Sequence, residues 1–115
     1  MNKIDKIKNR LEKFALDRDW HRYHSPKNLS MALSKEAAEL LEEFQWLTED
    51  ESRNPGPEKL ARIKDEIGDV LICLLQLASK LNIDVIKAAE IKIVKNAKKY
   101  PVDKSKGNAK KYTEF

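Results

Sequence analysis

The stretch DEIGDVLICLLQLA, residues 65–78, sets Glu66 and Asp69 inside the most apolar run of the chain. The spacing predicts a helix from Glu58 to Leu81, apolar nearly all round between Ile67 and Ala78, as a central helix touching neighbours on several sides would be. On that helix the two acids lie three residues apart, and their line continues through Cys73 and Leu77, a side that is otherwise buried. Removing a carboxylate from water without a partner is costly. Each acid must therefore be protonated, paired with Lys or Arg, or bound to a metal ion. Taken alone, the stretch leaves a functional site and a buried ion pair with a lysine equally open.

Working outward, a second helix is expected from about Leu29 to Leu47, and at about 100° per residue Glu39 and Glu43 fall close to the line of Glu36. Leu33, Ala37, Leu40, Phe44 and Leu47 occupy the adjoining sector, so Glu36 and Glu39 border the buried face. By itself EAAELLEE is ordinary helix surface. Two E-x-x-E/D pairs on packed helices converge as four carboxylates, the hard oxygen set that suits Mg²⁺, with Mn²⁺ as a substitute. A di-iron bundle needs a histidine three residues after a glutamate on two helices, and a zinc site needs Cys or His ligands; His21 and His24 both lie in a connector, which counts against both.

The remaining chain reads as helix and connector. Ile4, Ile7, Leu11, Phe14 and Ala15 space a short amphipathic helix over residues 3–17, and DRDWHRYHSPKN is a connector in which Pro26 biases Ser25 away from helical geometry. TEDESRNPGP is the clearest loop, with Pro57 placed to open the third helix. Asn82 ends that helix, Asp84 caps a fourth, VIKAAEIKIVKNAKK, and Tyr100 with Pro101 stops it. The polar DKSKGNAKKYTEF is expected to be a flexible tail, residues 103–115, which Tyr112 and Phe115 can dock; as a flap or intersubunit arm it would close on substrate.

With 115 residues, 41% hydrophobic, 37% charged and 7% aromatic, and only three glycines, the composition favours a single all-α domain, residues 1–115, built as a helical bundle. A helix apolar on all sides in so short a chain also predicts a homo-oligomer. One cysteine excludes an internal disulfide, and Cys73 reads as a packed thiol. MNKIDKIKNRLEKF lacks the apolar core of a signal peptide and VLICLL is too short to cross a bilayer, so a cytoplasmic location is expected. The net charge of +4 arises largely from lysines between Lys87 and Lys111, whereas Glu36 to Glu51 is acidic. That asymmetry fits an anionic ligand held near a cation, and it also fits a non-catalytic module that binds nucleic acid. A purely structural bundle with salt-bridged acids is a third reading.

Six segments then carry a resemblance: FALDRDWHRYHSPKNL, SKEAAELLEEFQW, DEIGDVLICL, the K-x-x-x-N of KIVKN, KKYP and KKYTEF. In this order, over nearly the whole chain after Leu11, they resemble the all-α nucleoside triphosphate pyrophosphohydrolases of the MazG-like superfamily, most closely the dCTP pyrophosphatase group. The resemblance implies a four-to-five-helix bundle that assembles as a dimer or dimer of dimers. It implies Mg²⁺ on Glu36, Glu39, Glu66 and Asp69, with Glu36 or Glu39 as catalytic base, and a nucleoside pocket lined by Trp20, the residues on to His24, and Trp46. Lys92 and Asn96 are implied to face the triphosphate. The implied reaction is hydrolysis between the α and β phosphates of a dNTP, giving dNMP and pyrophosphate, in nucleotide pool clean-up. Cys73 departs from the group's usual tyrosine, which leaves the preferred base open.

Overall fold

A computed structural model describes residues 1–115 as six α-helices and two single 3-10 turns, without strands. The helices are α1 (Lys3–Asp17), α2 (Pro26–Glu42), α3 (Glu49–Arg53), α4 (Pro57–Lys80), α5 (Val85–Lys99) and α6 (Val102–Ser105). The all-α class holds. Packing divides the chain into two compact units, Met1–Asn82 and Ile83–Phe115.

Local chemistry accounts for the boundaries. Asn2 caps α1 by accepting from the Asp5 N–H at 2.8 Å. Ser25, extended as a residue before proline should be, accepts from the Asn28 N–H at 3.1 Å, so Pro26 opens α2 three residues earlier than the apolar spacing begins. At the other end α2 stops at Glu42 rather than Leu47, and the chain tightens through turns in which Phe44 N–H donates to Leu41 O and Leu47 N–H to Phe44 O, each 2.9 Å. The Glu43 carbonyl left free there accepts from Lys59 Nζ of α4 at 3.0 Å.

The expected loop TEDESRNPGP contains a helix. Thr48 and Glu51 form a reciprocal capping box, Thr48 N–H donating to Glu51 Oε1 at 2.8 Å and Glu51 N–H to Thr48 Oγ1 at 3.2 Å, which nucleates α3. Gly56, at φ 84°, then turns the backbone so that Pro57 becomes the first residue of α4. Asn82, at φ 54°, closes α4 in left-handed geometry.

Within Met1–Asn82 both α1 and α2 pack on α4, which is therefore the central helix. The sealed core is small: Ala15 from α1, Leu29 from α2, and Ile63, Leu75 and Ala78 from α4, with Leu75 fully buried. Part of the apolar surface of α4 stays uncovered. Ile67, Leu71 and Leu74, at i, i+4 and i+7, form a stripe 52%, 41% and 41% exposed.

Within Ile83–Phe115, Asp84 caps α5 by accepting from the Lys87 N–H at 3.1 Å, and Tyr100 ends it. The terminal segment folds back on that end. Tyr112 and Phe115 each meet the Tyr100 ring edge-on, at centroid separations of 6.0 and 5.8 Å.

Because so little is sealed, each core side chain carries a large share of stability. Leu75→Ala is expected to cost about 3 kcal/mol in denaturant unfolding, against about 1 kcal/mol for Thr48→Ala at the α3 cap.

Candidate active site

Helices α2 and α4 run antiparallel in a register that matches their charged positions. Glu43 meets Arg62, Glu39 meets Glu66, and Glu36 feels the charge of Asp69. Steps of four and then three residues on one helix thus face the same steps on the other, as antiparallel helical rows require. The register brings acid against acid.

One acid of this row is neutralised. Arg62 Nε donates to both Glu43 oxygens, at 2.9 and 3.1 Å. The other four, Asp69 among them, have no such partner. Glu36, Glu39 and Glu66 each offer a carboxylate oxygen within 4.8 Å of the others. The nearest cation, Lys35, reaches Glu39 only at 3.8 Å from an exposed position. Glu36 Oε2 and Glu66 Oε2 are buried with no hydrogen-bond partner. Burial first, and then the neighbouring Glu39, push the carboxyl of Glu36 above the ordinary range; burial and the Glu39 charge do the same to Glu66.

These residues fit a divalent cation. Two unpartnered buried oxygens are what ligands look like without their ion, and the donors are all hard oxygen. Oxygens on opposite sides of an ion bound at 2.0–2.6 Å lie roughly 4–5 Å apart, close to the span seen. Asp69 stands at the exposed rim, outside the close trio, with its charge felt by Glu36 and Glu66. Cys73, one turn further on, is half-buried; burial and then the charges of Glu36 and Asp69 raise its pKa, which keeps it a thiol.

A cavity of about 460 Å³ opens between α1, the connector and the C-terminal end of α4. Leu11, Ala15, His21, His24, Gln76 and Lys80 are among its lining residues, and its size is that of a small-molecule pocket. Burial, followed by the charges of Lys80 and His21, lowers the His24 pKa, so its imidazole is neutral at pH 7. His24 thus faces the cavity. Trp20, 49% exposed and edge-on to Phe14 at 5.8 Å, and Trp46, 87% exposed beyond α2, do not line this cavity. Lys92 and Asn96 lie one turn apart on α5, in the second unit. The sequence reading had not singled out Arg62 or Gln76. Gln76 interrupts LLQLA, and a polar residue inside an apolar run was the available signal.

The model of the MazG-like family matches residues 31–115, a span holding both acid pairs together with Lys92 and Asn96. The chain belongs to the MazG-like family. Its relatives include dCTP pyrophosphatase 1 of Bos taurus, 38% identical over 97% of this MazG-like chain and 68% of that protein. The Homo sapiens protein of the same name is 37% identical, over 97% of this chain and 67% of its own length. A crystal structure of a pyrophosphatase from Archaeoglobus fulgidus superposes with a TM-score of 0.83 at 39% identity, covering 88% of this chain and 94% of that one.

The carboxyls of Glu36 and Glu66 make a signed stability prediction for the metal-free protein. Raised carboxyl pKa values mean that the native state retains protons the unfolded chain has released, so stability falls as pH rises from the ordinary carboxylate range through the raised values. Glu66→Gln is therefore expected to raise the melting temperature of the chelator-treated protein at pH 7, and an added divalent cation is expected to stabilise wild type but not the variant. Thermal melts with and without chelator read both effects.

Proposed function

We propose that this protein is a Mg²⁺-dependent nucleoside triphosphate pyrophosphohydrolase that cleaves between the α and β phosphates of a deoxynucleoside triphosphate, dCTP or a related or modified nucleotide. The products are the monophosphate and pyrophosphate, and the role is nucleotide pool clean-up in the cytoplasm. The hydrolase class rests on the family and on relatives named pyrophosphatases. The observation that carries the rest is the convergence of Glu36, Glu39 and Glu66, with two buried carboxylate oxygens left unpartnered.

In this reading Glu36, Glu39, Glu66 and Asp69 hold the cation, Asp69 from the exposed rim. Bound Mg²⁺ supplies charge neutralisation on the phosphate oxygens and makes water a better nucleophile. Whichever of Glu36 and Glu39 is less engaged accepts the proton of the attacking water, and the raised carboxyl pKa of Glu36 suits it to that. A new phosphorus–oxygen bond forms as the bridging oxygen departs with its electron pair on pyrophosphate. Lys92 and Asn96 bind phosphate oxygens as charge moves onto the leaving group. Neutral His24 offers a hydrogen bond inside the cavity, where the nucleoside sits, and Trp20 and Trp46 offer flat faces for stacking. Cys73, where the dCTP pyrophosphatase group usually has tyrosine, leaves the preferred base open.

The proposal includes a homo-oligomer, because the exposed Ile67–Leu71–Leu74 stripe is the kind of face that a second copy covers. Size-exclusion chromatography with light scattering should give a dimer or tetramer for wild type and a smaller species for Leu71→Glu; a wild-type monomer would remove this part.

A panel of canonical and modified nucleoside triphosphates, assayed with Mg²⁺ for monophosphate and pyrophosphate, tests the reaction and its preference together. Asp69→Asn and Glu66→Gln are expected to lower turnover by about 100-fold or more with helical content unchanged, since even residues that only orient metal ligands are worth 10–100-fold. Release of orthophosphate instead of pyrophosphate, or turnover indifferent to both substitutions, would refute the assignment.

A further inference from the structure

Arg62 holds an ion pair that engages only part of its side chain. Its Nε–H is shared between the two Glu43 oxygens, at 2.9 and 3.1 Å, and neither Nη nitrogen hydrogen-bonds within the chain. A guanidinium that serves only to neutralise a carboxylate commonly gives it two parallel N–H bonds; here the fork of Nη donors is left over. The partners also differ in depth, the Arg62 side chain being 56% exposed and that of Glu43 only 14%. Glu43 is fixed from its backbone as well, since its carbonyl accepts from Lys59 Nζ at 3.0 Å. Arg62 is thus rooted at Nε and open to solvent at its tip.

The place of that tip along α4 decides what it can touch. Arg62, Glu66, Asp69, Cys73, Gln76 and Lys80 succeed one another at alternate steps of four and three, which puts them in one row along the helix. Glu66 belongs to the carboxylate trio, and Gln76 and Lys80 line the cavity at the C-terminal end of the row. Arg62 stands at the opposite end, about 6 Å along the axis beyond Glu66. A nucleotide with its nucleoside in the cavity and its α phosphate at the carboxylates therefore runs its β and γ phosphates toward Arg62. Lys59, the other cation at this end, is half-buried and occupied with the Glu43 carbonyl. Pyrophosphate departs as an anion beside Glu39 and Glu66, so the charge it gathers calls for donors on its far side.

We propose that Arg62 is a further catalytic residue, its Nη donors binding non-bridging oxygens of the pyrophosphate leaving group, and that Glu43 is the positioning residue that aims them. This deepens the pyrophosphohydrolase reading and rests on it for the direction in which the nucleotide lies. In the step itself the bridging oxygen leaves the α phosphorus with its electron pair, the oxygen of water takes its place, and the water's proton passes to Glu36 or Glu39. Arg62 stays protonated and donates hydrogen bonds that strengthen as charge gathers on the departing group. A lysine would supply the charge but not both the anchor and the planar fork.

Calorimetric titration of the whole chain in Mg²⁺ with pyrophosphate, and separately with dCMP or the monophosphate of whichever nucleotide turns over fastest, reads the contact apart from turnover. Arg62→Ala should weaken pyrophosphate binding about 10-fold and leave monophosphate affinity unchanged, because only pyrophosphate reaches this end of the row. Arg62→Lys should recover part of the loss. Arg62→Gln, which retains a donor for Glu43, should behave like Arg62→Ala and serves where the alanine variant does not fold. Glu43→Gln breaks the ion pair as fully but keeps the guanidinium, and should weaken pyrophosphate binding only about 2- to 3-fold. Lys64→Ala makes the same change in net charge on another side of α4 and should leave affinity unchanged. In turnover, Arg62→Ala should lower kcat about 10- to 100-fold and raise KM less.

Equal weakening by Arg62→Ala and Glu43→Gln, or loss of monophosphate along with pyrophosphate, would mean that the pair only holds the helices in register and would overturn the proposal. Equal weakening by Lys64→Ala would mean diffuse attraction and do the same. Wild type that turns over nucleotide without binding pyrophosphate, or Arg62→Ala that binds it like wild type, would remove the role of Arg62 and leave the hydrolase reading standing. Pyrophosphate binding as described, with no pyrophosphate released from any nucleotide, would keep the contact and remove the hydrolase reading.

Discussion

Carboxylates withdrawn from water beside one another are the constraint around which the first unit is organised. Glu36, Glu39 and Glu66 face each other across the α2–α4 seam, where burial and repulsion both act against the charged forms of Glu36 and Glu66. Nothing in the local packing requires acids there, since Glu43 and Arg62 show that the same seam accommodates a conventional ion pair one turn away. The seam is thus electrostatically relieved at one end and strained at the other. Leu29, Ile63 and Leu75 keep the helices together in spite of it. Strain of this kind, local and supported by apolar packing, is how proteins keep reactive groups available.

Much of this was legible in the residue order, for reasons that differ between elements. The bounds of α5 follow directly from Asp84 and the Tyr100–Pro101 stop, and those of α4 from Pro57 and Asn82, because caps and breakers act over three or four residues. The end of α2 was not legible. Phe44 and Leu47 continue the helical spacing, yet the chain turns at Glu42 and Lys59 of α4 satisfies the freed carbonyl. The α3 turn carried a readable signal, Thr48 and Glu51 in capping-box spacing, that the surrounding Asn, Pro and Gly residues obscured.

The candidate site divides in the same way. That Glu36 with Glu39 and Glu66 with Asp69 could converge was evident from equal three-residue offsets, a property of each helix alone. That Glu43 would be claimed by Arg62, and that Asp69 would stand at the rim, depends on register and on the seam's depth, which no single-helix periodicity contains. The cavity beside His24 is assembled from three elements and had one trace in the sequence, the polar Gln76. In the tail, Tyr112 and Phe115 were legible as docking residues, whereas the ring they dock on, Tyr100, was not, because three rings distributed over Tyr100–Phe115 show no period.

The antiparallel register has a bearing on how such a chain can change its length. Between Glu43 and Pro57 the polypeptide only has to bridge two helix ends, and loops of that sort absorb added residues at little thermodynamic cost. One residue inserted between Glu39 and Glu43, by contrast, would swing everything before it by about 100° relative to Arg62 and scatter the oxygens around the seam. Length variation among descendants of this sequence should accordingly accumulate at the hairpin's tip and at the chain ends, while the two long helices change by substitution only.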